Sequence, residues 1–240
     1  MFLVLEGSGL SWQSSGSKDV RTYEIRKDDV LLHPAQGDAH TLIAGDDGLT
    51  VLVVAEGSRT HLTWLPRAKQ FWVGPRWSPA DMPPPFAADA QLGPLEIPEP
   101  EPERPPAIRN LRDLPLHEGA DGLTAYATRD ARDMGSDKLV LAQDAMPPDT
   151  HNTDLHFHSA REEAWFVRSG SGVARLGSDA LELRPGSFWL RRENTGVGHR
   201  IEVGPDGMEL VTMGDLIPGD VVVYPEKRTF KPARGIELPY

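Results

Sequence analysis

The most informative segment of this 240-residue chain reads His156-Phe-His158-Ser-Ala-Arg-Glu162-Glu163-Ala-Trp-Phe-Val-Arg-Ser-Gly170. Side chains alternate across a β-strand, so His156 and His158 project from the same face. Two imidazoles spaced in this way can bind one metal ion, at nitrogen–metal distances of about 2.0–2.1 Å for zinc-like ions. The segment therefore predicts a strand that carries two metal ligands, with a carboxylate shortly after it.

A third histidine, His199, follows later in the chain, beyond the turn pair Pro185-Gly186. Three imidazole nitrogens and one carboxylate oxygen suit Fe(II), Mn(II), Ni(II), Co(II) or Zn(II), and they leave coordination positions open. An HxH pair by itself is as often two exposed strand histidines. The metal hypothesis therefore depends on the glutamate, the glycine turns and His199 together with the pair.

This order of residues resembles the two motifs of the cupin superfamily. HxH, four residues, glutamate, six residues and glycine is the first motif, and a Pro-Gly pair followed by a histidine on the next strand is the second. The cupin motif usually has a glycine six residues before the first histidine, and this chain has Thr150 there. The difference affects the turn that precedes the strand and not the metal ligands. Glu163 is chosen over Glu162 because it lies seven residues before Gly170. The resemblance implies that one divalent metal has four ligands, namely His156, His158, Glu163 and His199.

Other side chains near these positions are candidates for the wall of a substrate pocket. Trp165 lies two residues after Glu163, and Ile201 lies two after His199, so each is expected on the same face as its neighbouring ligand. A plain core role is equally open to both. Arg191 and Arg192 precede His199, and one of them could reach an anionic substrate, although a solvated pair is the simpler interpretation.

The remainder of the chain predicts an all-β protein. Short apolar runs are separated by Gly, Pro, Asn and Asp, and the chain holds 23 glycines and 22 prolines, a pattern typical of antiparallel sandwiches and barrels. The GxG pieces at Gly7 and Gly170 are interpreted as hairpin turns. The cupin resemblance implies a jelly-roll barrel, the double-stranded β-helix.

The chain also repeats itself. The segment 40–48, which begins at His40, aligns without a gap onto the segment 199–207, and Gly7-Ser-Gly9 aligns onto Gly170-Ser-Gly172. A duplicated domain is the better interpretation of this order. The alignment places Met1 opposite Ala164, so the first copy is partial and lacks an HxH pair and a glutamate. Either the start is assigned too late or the first copy has become a structural partner.

We therefore predict three regions: a partial N-terminal cupin copy at 1–77, a Pro-rich connector at 78–107 and a C-terminal cupin domain at 108–240. Proline lacks the amide hydrogen of a helix or a central strand, so the connector is expected to be extended on the surface of a barrel. The partial copy leaves a sheet edge free, which favours a homodimer.

Composition excludes several kinds of partner and site. The net charge is -11 without a basic run, which disfavours nucleic acid and anionic membranes. The absence of cysteine excludes disulfides, thiolate metal sites and a cysteine nucleophile. No apolar run approaches the roughly 18 residues of a membrane span, and the apolar start is too short for a signal peptide. A cytoplasmic protein is expected.

Two functions remain open at this point. Metal cupins include dioxygenases, decarboxylases and isomerases that act on small oxygen-rich substrates, so the resemblance implies an enzyme with one divalent metal. The alternative is a non-catalytic module that binds or senses a small ligand. The chain has no helix-turn-helix pattern or basic patch for a DNA-binding regulator.

Overall fold

The computed structural model describes residues 1–15, 19–57, 62–73, 83–121, 124–232 and 238–239. They form two compact units, 1–110 and 111–240. Both units are built from strands, and the described residues contain one short α-helix and two 3-10 turns. The predicted all-β class is confirmed.

The first unit is organised around one long strand, β1, which pairs with three others. Its elements are β1 (Phe2–Ser14), β2 (Val20–Arg26), β3 (Asp29–Leu31), β4 (Ala39–Val53), β5 (Leu62–Leu65), β6 (Gln70–Val73), α1 (Pro85–Ala90) and β7 (Ile108–Asn110). The main sheet has the order β2-β1-β3-β7, with β4 paired along β1. Its core is a small apolar cluster that includes Val4, Ile25 and Ile108.

The second unit is larger and consists of two sheets. Its elements are η1 (Leu111–Asp113), β8 (His117–Asp121), β9 (Thr124–Asp130), η2 (Ala131–Met134), β10 (Leu139–Met146), β11 (Phe157–His158), β12 (Glu163–Leu176), β13 (Asp179–Leu183), β14 (Phe188–Arg191), β15 (His199–Asp215), β16 (Val221–Tyr224), β17 (Thr229–Pro232) and β18 (Leu238–Pro239). One sheet has the order β13-β12-β15-β10-β9-β8, with β14 paired to β12, and the other has the order β11-β16-β17-β18. A single bridge between His156 and His199 joins the two.

The two units repeat the same bent strand pair, which confirms the predicted duplication. In the first unit β1 pairs with β4, and in the second β12 pairs with β15. The pair Gly9–Ala44 of the first unit corresponds to Gly172–Val203 of the second at the offsets of the sequence alignment. The register shifts fall at corresponding places in both pairs.

The GxG pieces are β-bulges, so the prediction of hairpin turns was wrong. Gly7 and Gly170 lie inside β1 and β12, with φ of +81° and +79°. At each of them the register with the long partner strand shifts, which bends the strand instead of ending it. Runs predicted as separate short strands are therefore continuous. Pro205, in the middle of β15, is tolerated because the residues around it are not paired with β12.

The Pro-rich segment lies against the first unit. Its backbone meets side chains of two strands, since Trp12 Nε1 donates to the Glu96 oxygen at 2.8 Å and Thr22 Oγ1 donates to the Pro98 oxygen at 2.8 Å. Residues 78–82 of the predicted connector lie outside the described residues. The helix α1 was not expected there. It forms because Pro85 occupies the first helical position, where no amide hydrogen is needed.

The hairpin of β5 and β6 marks the difference between the two copies. Its counterpart, β16 with β17, is extended by β11, the strand that carries His158. Among the described residues, β5 and β6 pair only with each other, and Leu62, Trp64 and Phe71 are exposed there. The homodimer inferred from a free sheet edge stays a prediction. Separately, none of the described helices has the length and apolarity that crossing a membrane requires.

The bulge glycine gives a direct test of the strand geometry. A Cβ at Gly170 would lie 2.0 Å from the backbone oxygen of Gly207, whereas a Cβ at Gly186, with φ of +86°, would meet nothing within 4 Å. Gly170→Ala should destabilise the protein by at least about 3 kcal/mol, because strain at positive φ and a backbone clash add. Gly186→Ala should cost only the φ strain, about 1 kcal/mol. Urea unfolding measures both, and equal losses would contradict the bulge.

Candidate metal centre

Three buried histidines converge on one carboxylate oxygen of a buried glutamate in the second unit. Glu163 Oε2 lies 3.1 Å from Nε2 of His199, 3.3 Å from Nε2 of His158 and 3.9 Å from Nε2 of His156. None of the four residues is more than 8% exposed. The structure therefore brings together all four of the predicted ligands, and the side chain among the histidines is Glu163, not Glu162.

Strand pairing explains this convergence. His156 and His158 flank Phe157 and share one face, as strand alternation predicts, and β11 is held by pairing His158 with Val222 of β16. Two backbone hydrogen bonds, of 2.7 and 3.1 Å, connect His156 to His199 at the start of β15. Glu163 begins β12, the strand next to β15. The four ligands thus come from the margins of three strands.

Hydrogen bonds on the far side of two imidazoles set their orientation. His158 Nδ1 lies 2.6 Å from Asp220 Oδ2, and His156 Nδ1 lies 2.9 Å from the Asp154 backbone oxygen. Asp220 is itself held, because its other oxygen accepts from the amide of Ala160 at 2.9 Å. Both acceptors favour hydrogen on Nδ1, so that in the neutral ring the Nε2 lone pair is available to a metal ion. This is the usual support of a metal-binding histidine.

Three of the four donors, those of His156, His158 and Glu163, have a spacing that fits a single divalent ion, whereas His199 is not part of that group and approaches it through Glu163. Ligand atoms about 2.0–2.2 Å from a common metal lie roughly 3 to 3.5 Å apart from one another. The Glu163 distances to His199 and His158 are in that range, and the distance to His156 is slightly longer. The donor atoms of His156, His158 and Glu163 all lie within 4.8 Å of one another. Iron, manganese, cobalt, nickel and zinc all accept such donors.

The charges at the centre are strongly coupled. Burial alone would raise the pKa of Glu163, but hydrogen bonds to His158 and His199 outweigh it and hold that pKa well below its usual range. Burial lowers the pKa of His156 to about 4 and also lowers that of His199. Burial likewise opposes the charge of His158, but Glu163 and Asp220 outweigh it and raise its pKa. A metal at this place would compete with protonation of His158.

A cavity of about 270 Å³ is lined by three of the four side chains, those of His156, His158 and Glu163. Its walls combine apolar, hydroxyl and ionisable groups: Tyr126, Asp144, Met146, Asn152, Thr153, His156, His158, Arg161, Glu163, Trp165, Thr212, Val222 and Tyr224. The volume is just below the usual range for sites of drug-sized ligands, which begins at about 300 Å³. The cavity suits a small metabolite.

The two pocket candidates have different positions. Trp165 lines the cavity and also packs in the core, with its ring 5.3 Å from that of His199 and 4.6 Å from that of Trp189. Ile201 is completely buried in the same core cluster and is not among the residues that line the cavity. Arg191 also lies outside that lining, because its guanidinium bonds to Thr195 Oγ1 and the Val197 oxygen.

A larger depression, of about 790 Å³, shares only Tyr126 and Met146 with this cavity. It contains none of the four predicted ligands, and its ionisable groups are all acidic. Size alone therefore does not identify the site. The candidate site is chosen instead because three histidines approach one glutamate there.

Sequence reasoning missed three residues of the site: Asp144, Arg161 and Asp220. Arg161 lies inside the quoted motif segment and was available as a candidate. Asp144 and Asp220 are brought in by strands distant in sequence, and no local pattern marks them. Asp144 is the most unusual of the three, because burial raises the pKa of its carboxyl while the hydroxyls of Thr128 and Thr212 donate to it.

The neighbouring glutamates offer a matched pair for metal binding. Glu163→Gln should weaken binding of a divalent metal by at least about 100-fold, because the amide cannot supply the anionic oxygen. Glu162→Gln should retain the metal, because the Glu162 side chain is not among the four. Metal content after dialysis at neutral pH checks both. Equal loss, or loss only in Glu162→Gln, would contradict this assignment.

The raised pKa of Asp144 predicts how stability depends on pH. A carboxyl whose pKa is higher in the folded than in the unfolded protein stabilises the fold at low pH, and this contribution is lost as pH rises through the folded pKa. Asp144→Asn cannot ionise and still accepts from Thr212. Its unfolding temperature relative to wild type should therefore rise as the pH increases above the unfolded carboxyl pKa of about 3.9. The exposed Asp179→Asn is the control, and a difference independent of pH would refute the prediction.

Comparison with known proteins gives the fold a name. The sequence matches no family model and no curated protein. Among solved structures, vicilin from hazelnut (Corylus avellana) superimposes with a TM-score of 0.56 at 11% identity over 93% of this chain and 70% of that one. A mutant of oxalate decarboxylase from Bacillus subtilis gives 0.54 at 15% identity over 88% of this chain and 61% of that one.

A sugar phosphate isomerase of the cupin superfamily, from Silicibacter pomeroyi, matches 54% of this chain and 90% of its own at a TM-score of 0.48 and 14% identity. Vicilin and oxalate decarboxylase each align with about nine tenths of the present chain, across both of its units. At these identities the likeness concerns the fold alone. The chain has the duplicated jelly-roll fold of the bicupins, with a partial first copy.

Proposed function

We propose that the second unit is a metal-dependent enzyme that acts on a small oxygen-rich molecule in the cavity of about 270 Å³. The observation that carries this proposal is the convergence of three histidine nitrogens on Glu163 Oε2, next to that cavity. A purely structural barrel gains nothing from burying four ionisable groups together, because their desolvation costs several kcal/mol (order of magnitude) for each charged group.

His156, His158, Glu163 and His199 would hold the ion, which would supply Lewis acidity toward oxygen atoms of the substrate. The protein's own side chains position the ligands and shape the cavity. Asp220 keeps His158 in position through its 2.6 Å hydrogen bond. Trp165 and Val222 contribute apolar wall to the cavity and exclude water there.

Asp144 is the proton donor of the proposed reaction. Its side chain lines the cavity beside Thr212, and burial raises its pKa, which favours the protonated acid more than at an exposed aspartate. A neutral acid in such a place can give its proton to a carbon or oxygen atom of the substrate. The carboxylate left behind is held by the hydroxyls of Thr128 and Thr212. Among dioxygenase, decarboxylase and isomerase chemistry, this arrangement favours the two that need a delivered proton.

The test is turnover by metal-loaded protein in a mixture of small hydroxy acids, oxo acids and sugars, followed by NMR. Wild type and Glu162→Gln should consume one component, whereas metal-stripped wild type and Glu163→Gln should consume none. Asp144→Asn should keep the metal and lose most of the turnover, because general acid catalysis contributes about 10²–10⁴-fold. A component that binds and is recovered unchanged would favour the non-catalytic binding module instead.

A further inference from the structure

Resting on the proposed function, we infer that Arg161 is the anion-binding residue of this cavity and that its ligand is a short carboxylic acid. One carboxylate of the ligand contacts the Arg161 guanidinium, and a second oxygen of the same molecule faces the four metal-binding side chains. The inference depends on the position of Arg161, on the space that Gly214 leaves for it and on the charge balance of the site.

Arg161 lies on the opposite side of the central carboxylate from the histidines. Its Nη2 is 3.4 Å from Glu163 Oε1, whereas the histidines face Oε2. Among the described residues that line the cavity, it is the only lysine or arginine. The side chain is 20% exposed, so the guanidinium is partly withdrawn from water.

The backbone opposite leaves room for the guanidinium. A Cβ built on Gly214 would lie 3.0 Å from Arg161 Nε and 3.1 Å from its Nη2, and also 2.7 Å from the Glu162 oxygen. Gly214 does not have a positive φ, so its conformation does not require glycine. Glycine is required here because the Glu162 oxygen and the Arg161 guanidinium approach the Gly214 Cα too closely for a Cβ. At the aligned position of the first repeat the residue is Ala55.

The guanidinium has donor capacity left over. A planar guanidinium carries five N–H donors, and Arg161 Nε is buried without a hydrogen-bond partner among the described residues. Its one ion pair, to Glu163, is longer than the 2.7–2.9 Å of a strong charge-assisted bond. A carboxylate is the ligand that matches the two-pronged geometry of this group.

The formal charges of the site favour one incoming anion. With neutral imidazoles, a divalent metal and Arg161 bring three positive charges, and Glu163 and Asp220 bring two negative ones. Asp144 adds none in its protonated form, which is the form that burial favours by raising its pKa. A single carboxylate cancels the remaining charge, whereas a neutral sugar leaves it uncompensated in a largely buried site.

A purely structural role, in which Arg161 only holds Glu163, leads to a different outcome. In that case replacing Arg161 changes the metal content and affects charged and uncharged ligands alike. If Arg161 binds the ligand, the loss is specific to the anion and occurs in protein that still carries its metal.

The test compares lactate with lactamide, and malonate with malonamide, by calorimetry on protein of measured metal content. Wild type should bind at least one acid, and at least about tenfold more tightly than its amide. When binding is normalised to the metal content, Arg161→Gln should no longer prefer the acid over the amide. Arg161→Lys should keep part of that preference. Gly214→Ala, which crowds the guanidinium, should weaken the acid in the same way. The exposed Arg192→Gln is the control.

The outcomes separate the two proposals. If wild type holds no metal, the proposed function fails and this inference fails with it. If wild type holds metal but neither acid binds better than its amide, the inference is overturned while the metal centre stands. The inference is likewise overturned if Arg161→Gln and Arg161→Lys keep the metal and the full acid preference.

Discussion

An ionised carboxylate inside a barrel must be surrounded by groups that offset its charge, and the second unit is arranged around that requirement. Glu163 is 7% exposed, and yet its pKa is held well below the usual range. Burial works in the opposite direction, so the histidines and Arg161 must outweigh it. Each of these partners is delivered by a different part of the fold, and the carboxylate would take up a proton if they were removed.

The need to offset the charge of a buried glutamate explains why the residues of the cupin motifs lie on separate strands. His158 lies on β11 and His156 just before it, the glutamate begins β12 and the last histidine begins β15. The bridge between His156 and His199 closes the gap between two sheets that are otherwise separate ladders. Asp220, just before β16, then forms a hydrogen bond with Nδ1 of His158, on the side of the ring away from Glu163. The site is thus a product of strand pairing, and the loops mainly bring the strands into register.

The two copies share a backbone but not this chemistry. Both have the bulge glycine at positive φ and the same pairing across it. In the first copy the counterpart of His199 is His40, which stacks on His33 at a ring distance of 3.8 Å. Burial and the neighbouring His40 lower the pKa of His33 to about 3, so His33 is neutral near pH 7. The described residues of the first unit hold no group of three candidate ligands.

The sequence predicted the four converging side chains because their signals are local. Alternation along one strand pairs His156 with His158, and motif spacing selects Glu163 and His199. Asp144 and Asp220 escaped because they approach the site through pairing between strands distant in the chain, which no local period encodes. The bends at Gly7 and Gly170 were interpreted as chain reversals for a similar reason. Glycine at positive φ serves a turn and a bulge equally, and only the partner strand distinguishes them.

A crystal structure with anomalous diffraction, recorded at the absorption edge of the metal that copurifies, would decide whether these four side chains form one metal centre. We expect one peak, about 2.0–2.2 Å from Nε2 of His156, His158 and His199 and from the carboxylate of Glu163. A peak elsewhere in the chain would contradict a metal centre at this place. So would the absence of a peak between these side chains in crystals of protein that contains one equivalent of metal.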